Sequence, residues 1–176
     1  STLMFDDLVR HSHKLSLPWL HAAFVLLLVG YGTKMGLAPM HTWKPDAYGE
    51  APGMVGALLA GGLTSCAFLC VLRFYHVAQI AQDGEYARRL LIFMGLLSMG
   101  TAAVFMSKQR DIKRLLAYSS VEHMGMLVFG IGIGGTAATG SLLHVIHNGL
   151  CKAGLFLAAG NIHRAYGSKS TDQIQG

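Results

Sequence analysis

The sequence predicts an all-α fold, a polytopic transmembrane helix bundle of about five membrane passages, one of them a broken helix. Three observations carry this. Charged residues make up 13% of the 176 positions and hydrophobic residues 52%, against roughly 25% charged in soluble globular domains. Residues 53–72, 90–107 and 124–143 hold no Asp, Glu, Lys or Arg over 20, 18 and 20 positions. Each run can cross a hydrocarbon core of about 30 Å as a helix rising about 1.5 Å per residue. The 22 glycines exceed the average share of about 7% and follow no collagen period, which suits helices packed closely in lipid. Disorder is excluded too, because a mean hydropathy of +0.44 is the opposite of what a disordered chain requires.

The elements follow in order. Residues 1–16 carry Asp6, Asp7, Arg10, His11, His13 and Lys14 and read as a polar connector. His11 and His13 lack the further ligands that a metal site needs. Residues 17–49, an apolar stretch interrupted by Lys34, would reach about 50 Å as one helix, too long for a single crossing. Gly32, Gly36 and Pro39 supply a break, because proline removes a backbone donor and glycine tolerates irregular backbone. Two half-helices, about 17–34 and 39–48, are therefore expected to meet inside the membrane. Further helices are expected over about 52–75, 86–108, 111–134 and 136–164, the last interrupted by Lys152. The bundle spans 17–165, and 166–176 form a polar tail.

Five passages put successive connectors on alternate sides. One side holds Arg10, Lys14, Arg73, Arg88 and Arg89. The other holds Lys44, Lys108, Arg110, Lys113, Arg114, Arg164 and Lys169 and is the better cytoplasmic candidate. The basic residues sit between apolar spans, so they face anionic lipid and not nucleic acid.

The most informative charges lie where lipid should be. Glu122 falls about 16 Å along a helix starting at Asp111, near mid-bilayer, beside His123. A carboxylate there must be paired, hydrated or protonated. His144, Asn148 and Lys152 are spaced four and four, which places them in one polar stripe with His147 displaced to its side. Lys34 sits at the expected break. Intramembrane ionisable groups of this kind mark ion paths, proton relays or counter-ion sites. The structural alternative is that Glu122 and a lysine pin helices together, with the histidines hydrogen-bonded inside the bundle.

Other motifs are absent or weak. Cys66, Cys70 and Cys151 suit buried thiols and neither a disulfide framework nor zinc. Gly30-Tyr31-Gly32 followed by Gly36 has no preceding strand and the wrong spacing for a dinucleotide fingerprint. P-loop, HExxH and nucleophile-elbow patterns are missing, so no catalytic nucleophile, metal or cofactor is expected. Gly32-x3-Gly36 and Gly130-x3-Gly134 match the small-xxx-small pattern of close helix packing.

Three long motifs resemble one family. Gly30-Tyr-Gly-Thr-Lys-Met-Gly-Leu-Ala-Pro-Met-His-Thr-Trp-Lys-Pro-Asp-Ala-Tyr-Gly-Glu-Ala-Pro52 is the first, and Asp111-Ile-Lys-Arg-Leu-Leu-Ala-Tyr-Ser-Ser-Val-Glu-His-Met-Gly125 the second. Leu143-His-Val-Ile-His-Asn-Gly-Leu-Cys-Lys-Ala-Gly-Leu-Phe-Leu-Ala-Ala-Gly-Asn161 is the third. They resemble the antiporter-like proton-translocating membrane subunits of respiratory complex I, Mrp sodium/proton antiporters and group 4 nickel-iron hydrogenases, with the hydrogenase-4 component F type nearest. The resemblance implies inverted five-helix repeats, each with a broken helix, and matches Lys34 to the family's broken-helix lysine. It matches Lys152 and His144 to a later helix of the proton path. Lys44 departs from it, standing where leucine is usual.

The implied function is a proton-translocating subunit of a respiratory NADH:quinone oxidoreductase-like or membrane-bound hydrogenase complex, with an Mrp-type sodium/proton antiporter subunit as the alternative. Lys34, Glu122, His123, His144 and Lys152 would form a hydrated relay without a redox centre. Implied partners are other membrane subunits, a peripheral hydrogenase or dehydrogenase arm and the lipid bilayer, with no nucleic acid, in a bacterial inner membrane. No signal-peptide pattern opens the chain. The start at Ser1 and the unpaired intramembrane lysines lead us to expect a piece of a longer subunit.

Overall fold

The computed structural model describes residues 5–81 and 84–174, and the His13 side chain lies outside the described residues. The ends of the expected connector and tail, 1–4 and 175–176, also lie outside them. The architecture is helical. Among the described residues the sole β contact is an isolated antiparallel bridge between Asp111 and Ser170.

A short helix α1 (Phe5–Arg10) and a single 3-10 turn lead into α2 (Leu17–Met35), which has a proline in its first turn. There proline costs little, because the missing N–H would have no intrahelical partner. The chain then breaks, and α3 (Trp43–Glu50) follows. The break falls where Gly36 and Pro39 placed it, but the second half begins at Trp43 and not at Pro39. The next helix, Gly53–Ile80, is α4 (Gly53–Leu58), a π turn (Leu59–Leu63) and α5 (Thr64–Ile80) in one continuous rod. Helices α6 (Gly84–Met106), α7 (Ile112–Ile133) and α8 (Gly135–Tyr166) complete the bundle.

Four helices, Gly53–Ile80, α6, α7 and α8, are long and apolar enough to cross a membrane. The 19-residue α2 is not among them, its last turn carrying Tyr31, Thr33 and Lys34, so four such helices stand against the five passages expected, and α2 and α3 occupy the place of the expected broken one. Large apolar side chains such as Trp19, Leu26, Met54, Leu58, Leu143 and Leu150 cover the outside of the bundle, as expected where lipid or neighbouring helices replace water.

Helix ends are set by local chemistry. Asp111 caps α7, its Oδ1 accepting the N–H groups of Lys113 and Arg114 at 2.8 and 3.0 Å, as an N-cap carboxylate does. Between α7 and α8 stands Gly134, whose φ of +82° is a conformation that side chains with a Cβ rarely adopt. The π turn leaves carbonyls without their usual α-helical donors. The Thr64 N–H bonds back to Leu59 O, and the Thr64 and Ser65 hydroxyls donate to Ala60 O and Gly61 O at 2.6 and 2.7 Å.

Two apolar clusters hold the bundle. The larger joins Phe24 and Leu28 of α2, Phe68, Val71 and Tyr75 of α5, Leu91 and Met94 of α6, and Met124, Leu127 and Val128 of α7. A smaller one sets Tyr48 of α3 against Phe156 of α8 and Ala57, Ala60 and Ala117. Glycines allow the closest helix contacts, and of the expected pairs Gly130 takes part, lying against Ser141 and Ala137 of α8. Gly36 and Gly134 are backbone turns with positive φ, whereas α6 meets α7 at Gly95 and Gly125, and the Gly53–Ile80 helix meets α8 at Gly53 against Gly160 and Gly61 against Gly149. The cysteines also differ from expectation. Cys66 and Cys151 are exposed and Cys70 half-buried, because they point away from the two clusters towards the apolar exterior.

The tail is pinned to the bundle. Ile112 N donates to Lys169 O, Thr171 N to Arg110 O, and Arg110 pairs with Asp172 at 2.7 Å. Lys169 Nζ donates to Gly49 O at 3.0 Å and Glu50 Oε2 at 2.8 Å. This tie and the charge of Lys169 hold the exposed Glu50 carboxyl below its usual pKa.

Two outcomes follow from these contacts. A Cβ on Gly125 would lie 2.9 Å from Gly95 O, while one on Gly100 meets nothing within 4 Å. Gly125→Ala should therefore cost about 1–3 kcal/mol through overpacking, and Gly100→Ala should not destabilise, as read by thermal unfolding in detergent. Because the Glu50 pKa is lowered by folding, its tie is complete above the ordinary carboxylate range and is lost as pH falls through the lowered value. The protection factor of the Thr171 amide, which is referenced to the intrinsic exchange rate at each pH, should fall on acidification, and in Lys169→Ala it should be low already at neutral pH.

Candidate functional site

Helix α8 buries one narrow stripe, comprising Ser141, Asn148, Lys152, Phe156 and Ala159. The spacing of seven, four, four and three is that of one helical face. Two members of the expected stripe are deeply buried, Asn148 at 2% and Lys152 at 3% exposure, and His144 is half-buried beside them. His147 is exposed, so Asn148 and not His147 faces the interior.

The stripe meets α7 through two polar contacts. Lys152 Nζ donates to Ser119 Oγ at 2.6 Å. One turn along α7, His123 Nδ1 lies 3.0 Å from His144 Nε2. A single proton shared on that line makes one ring the donor and the other the acceptor, and a tautomer change reverses the roles. The His147 ring stands 6.1 Å from that of His144. Glu122 is half-buried between Val121 and His123 and makes no ion pair within 4.0 Å among the described residues. Tyr48 Oη, Ser120 Oγ and Asn148 Nδ2 are buried polar atoms with no hydrogen-bond partner among the described residues. A seam of donors and acceptors thus runs through the apolar interior where α3, α7 and α8 meet.

The broken helix forms the second part of the site. Helix α2 ends at Gly36, left-handed with φ +83°, and the N–H groups of Gly36 and Leu37 fold back onto Gly32 O, each at 2.8 Å. The last carbonyls of α2 are satisfied from α3: Trp43 Nε1 donates to Thr33 O at 2.8 Å, and Lys44 Nζ to Met35 O at 2.6 Å. Ala38 N, inside the break, donates to Ser98 Oγ of α6 at 2.9 Å. Gly32 is buried against Leu37 and Met40, and Pro39 is exposed.

The expected site residues therefore divide. Glu122, His123, His144 and Lys152 share one α7–α8 interface. Lys34 does not join them, being exposed on α2 with no hydrogen bond or ion pair among the described residues. The lysine inside the break is Lys44, with 0% of its surface exposed. Lys44 is therefore not one of the connector charges, and that side keeps six of its seven expected cations. A usable signal was present, since a cation shortly after a helix stop is well placed to reach back to the last carbonyls.

A bundle of four long apolar helices packed with a broken helix, with lysine, histidine and glutamate side chains between them, defines a class: polytopic membrane proteins with ionisable groups held inside the bundle. The chain matches the model of the NADH:quinone oxidoreductase/Mrp antiporter transmembrane family over residues 1–176. It belongs to that family, and it is a multi-pass membrane protein. Among curated relatives it is 38% identical to a hydrogenase-4 component F homolog of Methylacidiphilum infernorum, over 100% of this chain and 37% of the relative. It is 37% identical to NAD(P)H-quinone oxidoreductase chain 4 of Prochlorococcus marinus, over 87% of this chain and 29% of that one. Respiratory complex I from Thermus thermophilus contains a chain that superimposes with a TM-score of 0.78 at 28% identity, over 96% of this chain and 36% of that one. The chain thus spans about a third of the length of the relatives it matches.

The Lys152–Ser119 bond gives a stability test. Removing one partner of a buried hydrogen bond leaves the other unsatisfied and costs about 1–3 kcal/mol, whereas replacing both by apolar groups can be nearly neutral. Ser119→Ala should lower thermal stability in detergent, and Ser119→Ala with Lys152→Met should recover most of the loss.

Proposed function

We propose that this chain is part of a proton-translocating membrane subunit of a respiratory NADH:quinone oxidoreductase-like or membrane-bound hydrogenase complex, which couples electron transfer in partner subunits to proton transport. The observation that carries the proposal is the seam itself: Lys152 on Ser119, and His123 on His144, inside an apolar bundle. A lysine amine takes up and releases one proton, and two imidazoles in hydrogen-bond contact pass one between helices. Glu122, one residue from His123, supplies a carboxylate that can pair with a charged neighbour or hold a proton when that neighbour is neutral. The unpartnered Tyr48, Ser120 and Asn148 atoms give water molecules places to bind along the seam. Lys34, exposed on α2 and apart from the seam, belongs to the proposed path through its resemblance to the family's broken-helix lysine.

In this reading the chain carries no redox chemistry. It binds, holds and moves protons, and its partners are other membrane subunits of the complex and a peripheral dehydrogenase or hydrogenase arm. Residues 17–165 form part of the subunit's antiporter-like domain, with 1–16 and 166–176 as connector and tail, in a bacterial inner membrane. The named relatives, a hydrogenase component and a quinone oxidoreductase chain, favour the oxidoreductase complexes over an Mrp-type sodium/proton antiporter.

The test uses the full-length subunit in its complex. Lys152→Ala and Glu122→Gln should each assemble and lower the protons moved per electron several-fold, measured in membrane vesicles with a pH-sensitive dye and parallel electron-transfer assays. Unchanged proton-to-electron ratios in both variants would rule the proposal out.

A further inference from the structure

The broken helix holds an ionisable group that the relay above does not use. Lys44 is completely buried. Its ammonium donates to Met35 O at 2.6 Å, stands 5.5 Å from the centre of the Tyr48 ring, and has no carboxylate within ion-pairing distance among the described residues. The titratable and charged groups around it are His41 in the preceding loop, Tyr48 on its own helix and Lys152 on α8, while α2 offers it only the backbone carbonyl. Tyr48 stands between the two lysines: its ring centre lies 5.5 Å from Lys44 Nζ and 5.4 Å from the ring centre of Phe156, which shares the buried face of α8 with Lys152 one turn away.

The break is shaped around this side chain. A Cβ on Gly36 would collide with Lys44 Cδ and lie 3.1 Å from Nζ, so the glycine that ends α2 is also the one that leaves room for the amine. Burial away from any counter-charge opposes a permanent positive charge, and a helix C-terminal carbonyl with an aromatic face favours one. A group held between such opposed influences can change protonation state when a nearby charge changes.

We infer that Lys44 is a second proton-carrying site of this chain, seated in the broken helix and coupled by charge repulsion to Lys152. This rests on the proton-translocating reading above. When a proton reaches the Lys152 amine, the new positive charge acts on Lys44. One Lys44 N–H bond breaks, its electron pair stays on nitrogen, and the proton passes to a water molecule of the seam. The neutral amine takes a proton back when Lys152 has lost its own. The hydrogen bond to Met35 O, strengthened by charge on the donor, loosens and tightens with each exchange, so the proton on Lys44 bears on the junction between α2 and α3.

The experiment uses the full-length complex in vesicles with Lys44→Arg and Lys44→Met. Arginine keeps a positive donor for Met35 O but does not release its proton, and methionine fills the space without one. Proton translocation per electron should be lost in both variants while the complex assembles and transfers electrons. Wild-type ratios in both, with the ratio still lowered in Lys152→Ala, would overturn this inference and leave the functional reading standing. Wild-type ratios in Lys152→Ala and Glu122→Gln would remove the reading itself. Transport retained in Lys44→Arg and lost in Lys44→Met would make Lys44 a structural tie only, again overturning the inference. Should neither variant assemble, acetic anhydride labelling of the wild-type complex decides, because only a neutral amine reacts. Lys44 should label more during turnover than at rest, and equal or absent labelling overturns the inference.

Discussion

Inside a bilayer the backbone has no water to turn to, so an interrupted helix must find partners for the carbonyls its last turn leaves open. Here Trp43 and Lys44, the first two residues of α3, reach back to Thr33 O and Met35 O of α2. Much else in the bundle is arranged about that closure. Gly36 has the left-handed turn and the empty Cβ position that admit the lysine stem. Tyr48 packs edge-on against Phe156, with ring centres 5.4 Å apart, and so ties the same half-helix to α8. The chain uses one device at both ends of α3, since Lys169 and Lys113 donate to Gly49 O and Ala51 O. Lysines thus meet the carbonyl end of each half-helix, where the backbone dipoles favour a cation.

That closure brings α3 into the interior beside the buried stripe of α8. A half-helix that delivers Lys44 and Tyr48 to the neighbourhood of Lys152, Asn148 and Phe156 lets polar groups from three helices meet in one seam. A straight α2 would have continued past this region and left α7 and α8 facing apolar surface alone. The cost is a set of buried hydroxyl and amide atoms without protein partners among the described residues. In a purely structural core such atoms destabilise, and in a path for protons they are the places where water binds.

Much of this was legible in the residues. Two charge-free runs, 53–72 and 90–107, each located one long helix because charge in hydrocarbon is costly, whereas the third, 124–143, straddles the Gly134 turn between α7 and α8; Asp111 marked the start of α7 because its side chain caps the first turn. The four-residue spacing of His144, Asn148 and Lys152 marks the stripe in the residues themselves. What could not be read was which side of the break each lysine takes. Lys34 belongs to the last turn of α2 and faces outward, whereas Lys44 looks like a loop charge until α3 folds back onto α2. Nor did the pattern mark the π turn, whose residues Leu59–Leu63 are apolar and small like the rest of their helix. Cys66 and Cys151 were misplaced for a related reason: in a membrane bundle the apolar side chains are outside as well as inside.

The π turn amounts to one inserted residue taken up within the helix, so every position after it is rotated by about 100° relative to an uninterrupted α-helix. The two halves of the Gly53–Ile80 rod therefore address different neighbours. Before the turn, Gly53 and Gly56 lie against Gly160 and Phe156 of α8; after it, Phe68, Val71 and Tyr75 join the cluster that includes Phe24 and Leu28 of α2. Loss of a single residue from this stretch would relax the turn into α-helix without shortening the span enough to matter to the bilayer. It would turn Phe68, Val71 and Tyr75 away from α2 together, a change of phase that no single side-chain substitution can imitate.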